Sequence, residues 1–212
     1  MMRSVSLPLI AAGILLAASL PALAQPKADP DWPCIQRKAP EIDLAQVWNG
    51  PDPATAGKWT DDQEAAAVAQ RIASRRTPMD EVDVVLQLFA REAGAEANTR
   101  LLRVMAGAYE IINTERSRVM HGIERYARGQ QRLADRIREE GEKLSQAKAS
   151  AVITNTIAET AETKTLDEQL TWDARIFDER ARSLTYVCEM PVLLEQRAYE
   201  IGQRIAARMK GG

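Results

Sequence analysis

The chain has 212 residues, with 28 Lys and Arg against 30 Asp and Glu and a formal net charge of -2 at pH 7. That balance excludes a general electrostatic pull toward nucleic acid or anionic membrane. The length suits one ordinary domain, or one domain with an extension.

The chain opens with MMRSVSLPLIAAGILLAASLPALAQ. Arg3 precedes an apolar run from Leu7 to Leu20, and Ala22-Leu23-Ala24 forms a small-x-small ending. This pattern predicts a secretory signal peptide over 1–24, cleaved near Ala24. The run is short for a bilayer span, and Pro8 and Pro21 bracket it. The expected setting is the periplasm, or outside the cell. No second apolar run is long enough to span a membrane.

The two cysteines, Cys34 and Cys188, are widely separated. An oxidising compartment favours a disulfide between them, closing a loop of about 150 residues. Neither belongs to a C-x-x-C pair, so no thioredoxin-like motif is present.

Residues 25–59 read as a leader. Prolines at 26, 30, 33, 40, 51 and 53 block long regular elements. The piece EIDLAQVW has room for two helical turns, with Ile42, Leu44, Val47 and Trp48 placed to press on a larger surface. Trp32, Trp48 and Trp59 all fall in the leader, which argues for packing on the rest of the chain.

Helices are expected over 60–212. The first starts at an expected Thr60 cap and buries a stripe of Ala65, Val68, Ala69 and Ile72. The second is expected to start with Thr77 as cap and Pro78 at its first position. Val82, Val85, Leu86 and Phe89 form its buried face, and Gly94 ends it.

The strongest periodicity follows. Met105, Tyr109, Ile112, Arg116, Val119, Ile123, Tyr126, Gln130, Leu133, Ile137, Glu140 and Leu144 alternate steps of four and three. That is the 3.5-residue period of a supercoiled helix. It predicts one helix over about 98–150, roughly 75 Å long. Arg116, Gln130 and Glu140 interrupt the apolar stripe, and their polar ends are expected to reach water. A turn or weakened helix is expected near 152–156, where β-branched residues gather. A second long helix carries Leu166, Leu170, Phe177 and Leu184, with Pro191 expected to end or kink it. A separate C-terminal helix then presents Leu194, Ala198, Ile201, Ile205 and Met209.

The expected fold is therefore all-α. A long antiparallel, coiled-coil-like hairpin over about 98–189 packs with two short N-terminal helices and a C-terminal helix as a bundle. Cys34–Cys188 would fasten the leader near the end of the second arm.

No catalytic, nucleotide-binding or haem-attachment fingerprint is present. One histidine, His121, is too few for a His/Cys metal site once the cysteines are paired. It reads as a residue beside the seam. No cofactor, metal or nucleic acid is expected.

Two surfaces are candidates for a partner or ligand: the tryptophans Trp32, Trp48 and Trp59, and a row of Arg125, Arg128, Arg132 and Arg136 on one helix flank. Tyr109, Tyr126, Trp172 and Phe177 are candidates to line a cavity. The leading expectation is a non-enzymatic periplasmic interaction or assembly protein, partnered by another exported protein or by a second copy. A helical small-molecule binding module is the alternative. An enzyme using helix-borne carboxylates is the third reading.

Overall fold

A computed structural model of the chain describes residues 29, 31–153 and 161–209. The expected signal peptide lies outside the described residues, as do positions 154–156 of the expected turn. Among the described residues every regular element is helical. The five α-helices are α1 (Leu44–Val47), α2 (Gln63–Ala73), α3 (Met79–Ala93), α4 (Ala97–Ile153) and α5 (Ala161–Ala206), with single 3-10 turns at Pro53–Ala56, Trp59–Asp61 and Gly94–Glu96.

The short helices bury the faces their periodicity marks. Ala65, Ala69 and Ile72 of α2 are buried, as are Val82, Val85, Leu86 and Phe89 of α3. Their caps differ from expectation. Asp62, not Thr60, caps α2, its carboxylate accepting from the Ala65 amide at 3.0 Å. Thr60 and Asp61 are taken up by a 3-10 turn instead. At α3 the cap position is Pro78, and no side chain closes it. Thr77 turns back and donates its hydroxyl to the Arg71 carbonyl at 2.7 Å, joining α2 to α3. Gly94 ends α3 at φ 57, a conformation glycine adopts without side-chain strain.

Helix α4 runs unbroken for 57 residues, and α5 for 46. Pro191 neither ends α5 nor starts a new helix; it lies buried inside it. An interior proline removes one ladder bond and costs about 3 kcal/mol. Burial of Cys188, Leu194, Ala198, Ile201 and Ile205 on the same helix offsets that cost. At the front of the chain α1 is one turn rather than two. Asp43 caps it, and Trp48 leaves it in extended geometry.

The main core gathers α1, α2, α3, the first part of α4 and the last part of α5. Ile72, Val82, Leu86, Leu101, Met105, Ile112, Ile201 and Ile205 are its inaccessible centre. Two glycines set close approaches. A Cβ at Gly107 of α4 would lie 2.8 Å from the Ala69 Cβ of α2. A Cβ at Gly202 of α5 would overlap the Val47 carbonyl oxygen of α1.

Away from that core α4 and α5 continue to pack on each other. Their contact partners run in opposite order along the chain. Arg116 meets Glu195, Tyr126 meets Arg180, Gln130 meets Phe177, Arg136 meets Asp173 and Lys148 meets Asp167. Ile123, Leu133 and Leu144 are buried along α4.

Candidate functional site

Cys34 and Cys188 form a disulfide across 154 residues of sequence. Cys188 lies well inside α5 rather than near the end of an arm, so the leader is fastened to the middle of that helix. Polar contacts then stitch the leader to α4. Arg128 holds Asp31 at 2.9 Å, and Lys38 holds Glu124 at 2.7 Å. Arg116 donates to the Ala39 carbonyl at 2.7 Å. Asn113 accepts from the Ile42 amide at 3.0 Å, and Tyr109 donates its hydroxyl to the Ile42 carbonyl at 2.6 Å. Arg103 donates to the Ala56 carbonyl at 2.8 Å.

The three leader tryptophans have separate places. Trp48 is buried in the main core, its indole N–H donating to the Pro51 carbonyl at 2.7 Å. Trp59 is half-buried and donates to Glu110 at 2.8 Å. Trp32 is half-buried and donates to the Gln36 carbonyl at 2.6 Å, closing a small loop around Cys34. Each indole N–H therefore has a partner within the chain, and the three do not make one surface.

The arginine row is also divided. Arg128 is held by the leader, and Arg136 by Asp173 of α5 at 2.5 Å. Arg125 and Arg132 are exposed, with no ion pair among the described residues. The row is thus no continuous cationic flank.

The polar seam residues differ from expectation as well, because their polar ends turn inward. Arg116 is only 3% exposed and is bound by Glu195 at 2.5 Å. Gln130 donates to the Phe177 carbonyl at 3.2 Å. Glu140 is half-buried, 3.9 Å from Arg136. Polar groups at seam positions favour one register over its slipped alternatives, because slippage leaves them unpaired.

The four cavity candidates occupy different levels of the molecule. Tyr109 lies against the leader, with its phenol pKa raised by burial and by the nearby charges of Glu41 and Asp43. Tyr126 donates to the Arg180 carbonyl at 2.6 Å. Phe177 is half-buried on α5, and Trp172 is exposed on the same helix. Neither described cavity is lined by any of the four. His121 is exposed on α4.

Three features emerge that the sequence reading passed over. One is an exposed apolar stripe on α5. Trp172, Tyr186 and Leu193 recur at multiples of seven residues, and Val192 and Tyr199 run beside them at the same spacing. The signal was available as a second seven-residue series, one step off the residues that face α4. The second feature is a shallow cavity of about 250 Å³ beside that stripe, lined by Ile42, Val47, Val192 and Tyr199 among others. The third is a groove of about 720 Å³ between α2, α4 and α5, carrying Arg75, Arg76 and Arg118. Residues so far apart in sequence gave no joint signal. No group of three or more His, Cys, Asp or Glu residues suited to a metal ion occurs among the described residues. No described helix is long and apolar enough to cross a membrane.

Comparison with protein-family models, with curated proteins and with solved structures finds no match for this chain.

Proposed function

We propose that this is an exported, non-enzymatic protein that binds another protein through the outer face of α5. The observation that carries the reading is the stripe of Trp172, Tyr186 and Leu193, which are 61%, 73% and 43% exposed. Trp172, Tyr186 and Leu193 share one heptad position, with Glu179 at the same position between the first two, and apolar residues on one such face can accept a second helix. Large exposed aromatics are enriched at interaction surfaces. The occupant is a helix with a complementary apolar face, from another exported protein or from a second copy.

In this reading α4 and α5 form a long antiparallel, coiled-coil-like hairpin. The opposed order of their contacts and the buried positions along α4 support that geometry. Export to an oxidising compartment, after loss of 1–24, is supported by the disulfide and by the amino-terminal pattern.

A photo-crosslinking amino acid at position 179, inside the stripe, tests the surface. Crosslinks to one defined helical segment are expected. Replacing Trp172, Tyr186 and Leu193 together by Ala should abolish them while leaving the circular dichroism unchanged. Recovery of uncrosslinked monomer alone would overturn the proposal.

A further inference from the structure

The groove between α2, α4 and α5 supports an inference that does not depend on the α5 stripe. Arg75, Arg76 and Arg118 line it, above a floor that includes Ala73, Ile112 and Leu194. Ile112 and Leu194 are sealed core residues, 1% and 2% exposed, so the apolar surface a ligand meets there is that of the half-buried Ile111.

Arginines near a helix carboxyl end are ordinarily explained as partners of its free carbonyls. That explanation fails for Arg75 and Arg76, which follow α2, and does not arise for Arg118, which lies in the middle of α4. Arg197 of α5 already occupies the end of α2, donating to the Ile72 carbonyl at 2.6 Å, the Ala73 carbonyl at 3.1 Å and the Thr77 carbonyl at 2.9 Å. Arg75 instead reaches the Met190 sulfur at 3.2 Å, a weak acceptor. Arg76 has no side-chain hydrogen bond or ion pair among the described residues. Arg118 faces Glu115 at 3.7 Å, an exposed pair of the kind that contributes little. The groove's other carboxylate, Glu110, receives the Trp59 indole N–H at 2.8 Å.

Three cations against two carboxylates leave the groove one charge positive on a chain that is acidic overall. Its volume of about 720 Å³ falls within the usual span of ligand sites, roughly 300–1,000 Å³. A planar guanidinium is suited to grip a carboxylate or phosphate through two parallel bonds. The half-buried Ile111 beside the arginines calls for a hydrocarbon body on the same molecule. We infer that this groove binds a small amphipathic anion, with a carboxylate or phosphate monoester head held by Arg76 and Arg118 and an apolar body lying along Ile111.

Isothermal titration of the disulfide-intact protein with decanoate, decyl phosphate and uncharged decanol, all below their aggregation limits, tests this. One saturable site is expected for an anion, weakening as salt is raised. A double variant, R76Q with R118Q, should weaken it at least tenfold, whereas R91Q, at an exposed position of α3 outside the groove, should leave it unchanged. Tighter decanoate binding would assign a fatty-acid head, and tighter decyl phosphate binding a phosphate head. Equal binding of decanol would overturn the inference. So would full binding by the double variant with native circular dichroism, or the absence of any saturable site.

Discussion

The guanidinium of Arg116 on α4 and the carboxylate of Glu195 on α5 lie 2.5 Å apart, the first 3% exposed and the second 38%. One end of this pair is sealed from water and the other is not, so their replacements are unequal. Arg116→Ala leaves a cavity and strips the Ala39 carbonyl of its donor. A loss of about 3 kcal/mol is expected in urea unfolding. Arg116→Met fills the space without a charge and removes a guanidinium whose Nε has no partner. It should lose less than half as much. Glu195→Gln keeps an acceptor but leaves the sealed guanidinium without its countercharge, so it should lose more than Arg116→Met.

The disulfide closes a long loop, and its removal is expected to act mainly on the unfolded chain. With a sequence separation of 154 between the cysteines, replacing both by Ser should cost about 4 kcal/mol. Surface ion pairs such as Lys38–Glu124 hold weakly. Limited proteolysis of the reduced protein should therefore cut within 31–41 first. First cuts elsewhere would mean that the polar contacts hold the leader unaided.

Glycines of α4 and α5 should respond in opposite directions. Gly202→Ala drives a methyl into the Val47 carbonyl, a backbone group that cannot turn aside. A loss of about 1–3 kcal/mol is expected. Nothing lies within 4 Å of a Cβ at Gly141. Gly141→Ala should raise stability by up to about 1 kcal/mol through helix propensity alone. Chemical denaturation of both variants measures the contrast.

Asp62 predicts an acid limb in the stability curve. Hydrogen bonding from Arg100, aided by the Ala65 amide, holds its carboxyl well below the usual carboxylate range, against the opposing effect of burial. A depressed folded value stabilises above the unfolded value, about 3.9. That contribution is lost as pH falls below 3.9 toward the folded value. Asp62→Asn keeps an oxygen to cap α2 but loses the ion pair with Arg100 at 2.7 Å. It should be less stable at pH 7 by about 1–3 kcal/mol. Wild type and variant should converge as pH drops below 3.9. A constant gap down to pH 2 would remove Asp62 as its source.

The sequence by itself determined the helical class, the buried faces of α2 and α3, the seam of α4 and the pairing of its two cysteines. Those features are local, or follow from having only two candidates. A periodic stripe reports which side of a helix avoids water, whatever covers it. What covers it was decided only in three dimensions. Asp62 displaces Thr60 as the cap because Arg100, far along the chain, reaches it. Pro191 stays within α5 because burial on both sides outweighs a missing bond. Arg116 turns inward because Ala39 and Glu195 are waiting there. The anion groove is assembled from three helices, and no local pattern records that convergence.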